Sequence, residues 1–138
     1  MKRCIVIFFD TNVLVYFTIN QDNDKFEMAQ KRIYEAIKTD TFCISPLVLS
    51  EYIFVLSKYK VTQKHKNKVL LFSEYVQDRI DKEIVLDAYA LCEEIDFCKN
   101  INDVMHLKVA EAHCHKLLTF DSDFKRLQKY TTVEIEII

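Results

Sequence analysis

The chain has 138 residues, of which 50% are hydrophobic and 29% are charged, and its formal net charge is −2. It contains no glycine, although roughly 7% is usual, so the sequence excludes a P-loop and a GxGxxG dinucleotide turn. The length predicts one domain over residues 1–138, and the chain lacks the run of about 18 apolar residues that a membrane span needs.

The hydrophobic pattern predicts strands that alternate with helices. The predicted elements, in chain order, are a buried strand at 3–9, a helix at 25–38, a strand at 42–44, a helix from Pro46 towards Tyr59 with Ser45 as its cap, a helix from Thr62 to near Gln77, an edge strand or loop at 85–86, a helix at 87–97, a helix at 103–114 capped by Asn102, a strand at 117–120, a short helical turn to Leu127 capped by Ser122 or Asp123, and a strand at 132–138. This alternation indicates an α/β domain with a mostly parallel sheet.

Four carboxylates stand at informative places in this pattern. Asp10 and Asp121 each follow a predicted strand, and Asp103 opens a predicted helix. Glu51 lies inside an apolar helix, where a carboxylate is costly to bury unless it is paired or bound to a cation. Because ligands bind beyond the carboxyl ends of parallel strands, we expect these four side chains to converge. Taken singly, each carboxylate can also be a turn, a helix cap or a solvent-facing residue.

A cluster of this kind predicts a particular chemistry. Converging carboxylates raise one another's pKa unless a cation neutralises them. Oxygen ligands without histidine or cysteine suit a hard ion such as Mg²⁺ or Mn²⁺, and phosphodiester cleavage is a natural use of such an ion.

The motifs around these acids resemble those of the PIN-domain family, in particular the small VapC-type toxins of prokaryotic toxin–antitoxin pairs. The resemblance spans nearly the whole chain and rests, in order, on Phe9-Asp10-Thr11-Asn12-Val13-Leu14, Ser50-Glu51, Asn102-Asp103-Val104 leading into Val109-Ala110, and Leu117-Leu118-Thr119-Phe120-Asp121-Ser122-Asp123-Phe124. Two departures concern loops: His113-Cys114-His115-Lys116 lacks the family's usual glycine, and Lys99-Asn100-Ile101-Asn102 lacks its frequent proline.

The resemblance implies a three-layer α/β/α nuclease domain that cuts RNA with Mg²⁺ or Mn²⁺, a cognate antitoxin that places an Arg or Lys in the acidic pocket, and a homodimer. By position, the family's acidic quartet matches Asp10, Glu51, Asp103 and Asp121, with Asn12 and Thr119 as supporting residues. Asp123 is either a further acidic metal ligand or the cap of the following turn. The alternative function is a catalytically weak PIN-like module that binds RNA or a protein partner.

Charge is distributed unevenly along the chain. Residues 25–68 contain nine Lys or Arg and four acids, a local charge of +5, whereas residues 74–103 contain three and nine, a local charge of −6. The lysines of the basic stretch, which either hold RNA phosphates or form a solvated helix face, are Lys58, Lys60, Lys64, Lys66 and Lys68. Four aromatic residues nearby are expected in the core or at a dimer surface rather than as base-stacking platforms: Tyr52, Phe54, Phe72 and Tyr75.

Histidines, cysteines and rival folds give the remaining sequence arguments. His106 and His113 share a helix face but match no standard zinc spacing, so we interpret them as surface or internally satisfied residues. Five cysteines at irregular spacing fit a reducing cytoplasm rather than a disulfide framework. A haloacid-dehalogenase-type phosphatase needs an acid where Asn12 stands, and a phospho-receiver domain needs paired acids where Phe8 and Phe9 precede Asp10.

Overall fold

The computed structural model describes residues 5–77 and 79–138. Its strands and helices are, in chain order, β1 Ile7–Phe9, α1 Thr11–Thr18, α2 Asn23–Lys38, β2 Phe42–Cys43, α3 Pro46–Lys58, α4 Lys66–Ser73, α5 Lys82–Ile95, α6 Ile101–His113, β3 Lys116–Thr119 and β4 Glu134–Ile137. Two 3-10 helices cover Cys98–Asn100 and Ser122–Tyr130. The predicted start of the first strand, before residue 5, lies outside the described residues.

The four strands form one sheet in the order β2-β1-β3-β4, and every neighbouring pair is parallel. Phe8 and Phe9 in β1 are both fully buried, as are Leu117 and Leu118 in β3. Successive strand residues point to opposite faces, so both faces of the sheet are covered. The predicted α/β/α architecture with a parallel sheet is therefore confirmed, and the carboxyl ends of β1, β2 and β3 lie along one edge.

The helix starts follow ordinary capping chemistry in two places that matter for the site. The Ser45 hydroxyl accepts the Val48 N–H at 3.1 Å, and Pro46 occupies the first turn of α3, as the sequence predicted. Asp10 occupies the N-cap of α1, where its side chain accepts the Thr11 N–H. Residues 11–18, an apolar stretch without an assigned element in the sequence pattern, therefore form a helix directly after β1.

The edge strand or loop predicted at Val85 and Leu86 is wrong, because both residues lie in α5. The Asp81 side chain caps this helix by accepting the Ile84 N–H at 3.0 Å. Ala88 and Cys92 form the buried side at a spacing of one turn, whereas Val85 and Leu86 are exposed. Val85 and Leu86 thus show that an apolar residue in this chain is not always a buried one.

The helix predicted from Thr62 to near Gln77 is shorter at both ends. It begins at Lys66, and the preceding residues form turns in which His65 makes no side-chain capping bond. At the other end, Ile44 exchanges backbone hydrogen bonds with Tyr75 and Gln77 at 3.2 and 2.7 Å. This isolated parallel bridge to β2 draws the chain into an extended form and ends α4 early.

Turns that would ordinarily contain glycine use other residues in this chain. Asp40, Lys60 and Asp96 adopt left-handed backbone conformations, with φ of 56°, 58° and 54°. The stretch 113–116, which departs from the family pattern, needs no such conformation, since Cys114 has φ −131°. In the described residues, no helix combines the length and hydropathy that a bilayer crossing requires.

Candidate active site

A cavity of about 440 Å³ lies beyond the carboxyl ends of β1 and β3, and all four predicted carboxylates line it. Asp10 follows β1, Asp121 follows β3, Glu51 projects from α3, and Asp103 lies in the first turn of α6. The remaining lining residues are Thr11, Asn12, Val15, Tyr16, Gln21, Phe54 and Val55. The structure thus brings together acids that are far apart in the sequence, because parallel strands and the helices after them share one edge.

Asp10 is the most enclosed of the four, with 5% of its surface exposed. One carboxylate oxygen accepts the Thr11 N–H at 2.7 Å, and the other accepts the Thr119 hydroxyl at 2.8 Å and the Asn12 amide at 3.1 Å. Burial raises the pKa of Asp10 despite the nearby His106 and these hydrogen bonds. The carboxylate is therefore held rigidly in a place where its charge is poorly solvated.

Asn12 and Thr119 tie the ends of β1 and β3 together. The Asn12 amide donates to the Thr119 hydroxyl at 3.1 Å, while its carbonyl oxygen accepts the Phe120 N–H at 3.2 Å. The fully buried Thr119 hydroxyl also accepts the Asp121 N–H at 3.0 Å. These bonds fix the backbone that carries Asp10 and Asp121, which is the position expected of supporting residues.

Glu51 is held by three side chains from two other helices. One carboxylate oxygen accepts the Thr11 hydroxyl at 2.5 Å and lies 2.7 Å from His106 Nε2, and the other accepts the Asn102 amide at 3.0 Å. Burial alone would raise the pKa of Glu51, but the hydrogen bond and charge of His106, together with these donors, keep it below its usual value. Of the four carboxylates, Glu51 is therefore the one whose charge the His106 contact stabilises most directly.

His106 is the site residue that the sequence interpretation missed. Only 1% of its surface is exposed, and its Nε2 lies 3.7 Å from Asp10 as well as 2.7 Å from Glu51. Burial would lower the pKa of His106, but the hydrogen bond with Glu51 and the charges of Asp10 and Asp103 raise it. Its position three residues after Asp103 was the available signal, because residues three apart share a helix face.

Asp103 faces the other acids at close range. One oxygen of Asp103, one oxygen of Asp10 and a ring nitrogen of His106 lie within 4.8 Å of one another. Burial, followed by the charge of Asp10, raises the pKa of Asp103 to about 7. A carboxyl with this pKa exchanges its proton near neutral pH.

Asp121 and Asp123 have different positions. Asp121 lines the cavity, and its side chain caps the following 3-10 helix by accepting the Asp123 N–H at 2.9 Å. Asp123 itself is exposed and is not among the lining residues. The cap of this turn is therefore Asp121, rather than the predicted Ser122 or Asp123.

The donor set of this cavity fits a divalent cation. None of the lining residues in the described part of the chain is a lysine or an arginine, so His106 beneath the cavity is left to offset four carboxylates. Oxygen-rich sites of this kind suit Mg²⁺ and Mn²⁺. Burial, with the charges of neighbouring acids, raises the pKa of Asp10 and of Asp103, and a bound cation would oppose both effects.

None of the predicted RNA-binding lysines is among the residues that line the cavity. Lys58 ends α3, Lys60 and Lys64 occupy the turns after it, and Lys66 and Lys68 begin α4. Lys58 reaches towards the cavity, since its Nζ lies 5.8 Å from the ring centroid of the cavity residue Phe54. In sequence, the run continues from Lys58 at the end of α3 into the first turn of α4.

A larger groove of about 740 Å³ lies elsewhere, where α5 meets the end of α6. It contains residues of both charge signs, and Lys108 in its wall already pairs with Glu111 at 3.0 Å. This groove has the cations Arg79 and Lys108 in its wall beside four acids, whereas the described wall of the carboxylate cavity has no lysine or arginine.

Comparisons with known proteins agree with this geometry. The PIN domain family matches residues 7–130 of the chain. Ribonuclease VapC2 of Methanocaldococcus jannaschii is 23% identical to it, over 94% of this chain and 93% of that protein. A chain in the crystal structure of VapBC2 from Rickettsia felis, bound to a DNA fragment from their promoter, superposes with a TM-score of 0.68 at 20% identity, covering 97% of this chain and 99% of that one. The fold, the ordered motifs and the family match agree: the chain belongs to the PIN domain family.

Proposed function

We propose that this protein is an endoribonuclease that uses Mg²⁺ or Mn²⁺, and that it is the toxin of a toxin–antitoxin pair. The observation that carries the proposal is the meeting of Asp10, Glu51, Asp103 and Asp121 in one cavity without a lysine or arginine among its described walls. The similarity to ribonuclease VapC2 supports RNA as the substrate. The similarity to a chain of the VapBC2 structure supports a partner protein.

The residues divide the work of phosphodiester cleavage. Asp10 and Asp121 would hold the principal cation, and Glu51 and Asp103 would complete the site. When bound, the ion supplies charge neutralisation and polarisation of the scissile phosphate. Glu51 and Asp103 would orient the attacking water and take its proton.

The second layer of the site keeps these carboxylates in place. Thr119 and Asn12 hold Asp10, and Thr11, Asn102 and His106 hold Glu51. Side chains that orient metal ligands in this way usually affect activity nearly as much as the ligands themselves. The supporting residues therefore belong to the catalytic design as positioning residues.

The proposed partners follow from the lysine run and from the family resemblance. RNA phosphates would contact the lysine run of residues 58–68, and an Arg or Lys of the antitoxin would occupy the acidic cavity, where it can supply the missing positive charge. The homodimer implied by the family resemblance remains a prediction.

The proposal is tested with purified protein and short single-stranded RNA. Cleavage is expected with Mg²⁺ or Mn²⁺, and it should stop with a chelator and in Asp10→Asn. Glu134→Gln is the matched control, because Glu134 is an exposed acid outside the cavity. Cleavage that persists both with the chelator and in Asp10→Asn would contradict the metal mechanism. A wild-type protein that binds RNA but does not cut it would favour the alternative function, a catalytically weak binding module.

A further inference from the structure

Phe54 has an unusual position for a phenylalanine. Its side chain is 64% exposed, yet it lines the carboxylate cavity. Two other aromatic residues expected in the core, Tyr52 and Phe72, are fully buried. Of the two places expected for Phe54, the structure excludes the core, the dimer surface stays a prediction, and in the described chain the ring is accessible to a ligand of the cavity.

Three residues of α3 present three kinds of chemistry in a row. Glu51, Phe54 and Lys58 follow one another at spacings of three and four, which places them along one side of the helix. They span about 10 Å at 1.5 Å per residue. Lys58 Nζ lies 5.8 Å from the Phe54 ring centroid. A cavity carboxylate, an exposed aromatic ring and a cation thus lie in order from the cavity outwards.

Tyr16, the other aromatic residue of the cavity wall, is not available in the same way. Its ring packs edge-on against Phe120, with centroids 5.0 Å apart at 68°, and Lys25 Nζ lies 5.0 Å from its centroid. Tyr16 is only partly exposed. Of the two aromatic residues that line the cavity, Phe54 is therefore the more exposed.

We propose that Phe54 is a base-stacking residue, on which an unpaired nucleobase next to the scissile phosphate stacks, and that Lys58 contacts the adjoining phosphate. Aromatic faces beside lysines are how proteins hold single-stranded nucleic acid, because every base has a π-face and every linkage has a charge. The inference rests on the proposed function, since that function places the phosphodiester bond in the cavity. It adds a positioning residue that the acids alone do not provide.

The occupant is argued from charge and continuity. An apolar protein segment would cover Phe54 but has no use for the adjacent lysines, whereas a nucleotide uses the ring and the cation together. The lysine run continues in sequence from Lys58 into the turns and α4, so further positive charge follows Lys58 along the chain. A protein partner at Phe54 is the competing outcome of the test.

The test separates an aromatic face from apolar area. Phe54→Leu keeps the apolar side chain but removes the ring, and Phe54→Trp keeps the ring. We expect Phe54→Leu to raise the KM for a short single-stranded RNA roughly tenfold with a smaller change in kcat, and Phe54→Trp to restore it. The control is Tyr89→Ala, which removes an exposed aromatic residue of α5 outside the cavity.

A second arm identifies the base as the partner. In the Glu51→Gln background, which leaves RNA intact, the Kd is measured for an RNA oligonucleotide and for a fully abasic oligonucleotide of the same length. Phe54→Leu is expected to weaken the first complex roughly tenfold and to leave the second unchanged. Equal effects on both oligonucleotides, or none on either, would overturn the stacking role. Failure of the proposed function shows separately, as absence of cutting by the wild-type protein.

Discussion

Two carboxylate clusters in this molecule have opposite electrostatics. On the β4 side of the sheet, Glu136 accepts both guanidinium nitrogens of Arg32 at 2.5 and 2.9 Å and the Lys116 ammonium at 2.7 Å. These hydrogen bonds, Arg32 first, lower the pKa of Glu136 to about 2. In the cavity, burial and neighbouring acids instead raise the pKa of Asp103 to about 7.

The contrast separates a structural use of acids from a functional one. The chain places cations beside Glu136, where the carboxylate joins α2, β3 and β4. The chain has several lysines within residues 58–68, but none of the described residues that line the cavity is a lysine. A cluster that the fold leaves uncompensated reduces stability, and an external cation can offset that cost.

The strongest test of this difference is to replace one glutamate by glutamine in each cluster and to compare RNA cleavage. Glu51→Gln is expected to reduce RNA cleavage by at least about 100-fold, because it removes a cavity carboxylate and its pairing with His106. Glu136→Gln should retain wild-type cleavage, since Glu136 lies outside the cavity. Steady-state rates on one RNA, measured with Mn²⁺, compare the two. Similar losses of cleavage in both variants would contradict the claim that the cavity carboxylates carry the activity.

Asp103→Asn should make the metal-free protein more stable. The pKa of about 7 in the folded protein exceeds the ordinary aspartate value of 3.8, so the folded protein loses stability as pH rises between these values. The full shift corresponds to about 4 kcal/mol, which solvent access to the partly exposed carboxyl reduces to roughly 2 kcal/mol. Denaturant unfolding with a chelator present measures the gain at pH above the folded pKa.

That gain should have a matching pH and metal dependence. At pH below 3.8, the ordinary pKa of an aspartate, the Asp103 carboxyl is neutral in the folded and unfolded protein alike, so the two proteins should unfold alike. Added Mn²⁺ should favour the wild-type protein again, because Asp103 then gains a partner. An Asp103→Asn variant that is less stable than the wild-type protein without metal would contradict the account.

His106→Asn is expected to lower kcat by roughly tenfold or more, because Glu51 loses the buried partner that orients it. His113→Asn, on the same helix but exposed, provides the matched control and should leave cleavage unchanged. Far-ultraviolet circular dichroism of both variants checks that the fold is intact. If a folded His106→Asn cuts RNA as fast as the control, His106 has no positioning role.

The smallest effect belongs to the ion-paired cluster. The pKa of Glu136 falls from 4.5 to about 2 on folding, so its contribution to stability is present above the unfolded value and is lost as pH falls towards the folded one. The side chain is partly exposed, so Glu136→Gln should reduce the free energy of unfolding by at most about 1 kcal/mol at neutral pH. Thermal melts of both proteins should converge in acid.

The acids of the site could be predicted because their positions depend on topology. Asp10 and Asp121 follow strands, and the carboxyl ends of parallel strands meet at one edge whatever their side chains do. Glu51 was identifiable because a carboxylate in an apolar helix needs a partner. These arguments use only the order of elements and the cost of burying charge.

Three features required the structure. The contact between His106 and Glu51 depends on how α6 packs against α3, and hydrophobic spacing does not determine that packing. Asn102 was predicted as a helix cap but lies inside α6, where its side chain reaches Glu51. For Phe54, both the core and a dimer surface were open, since the sequence does not show which aromatic residues of α3 face the core.

The absence of glycine from residues 113–116 does not force an unusual backbone conformation there. That stretch reaches β3 through extended backbone, while Asp40, Lys60 and Asp96 take the left-handed turns instead. Aspartate tolerates this conformation through local hydrogen bonding, but for Lys60 it is uncommon. The chain therefore forms its left-handed turns with aspartate and lysine instead of glycine.

The most direct test of the central claim is a calorimetric titration of the chelated protein with Mn²⁺ near neutral pH. The account predicts saturable binding in the wild-type protein and in Glu136→Gln, and binding weakened by roughly tenfold or more in Asp10→Asn. Proton release should accompany the binding, because Asp103 loses its proton as the ion enters. Equal Mn²⁺ affinity in Asp10→Asn and Glu136→Gln would contradict the claim that the carboxylate cavity is the metal site.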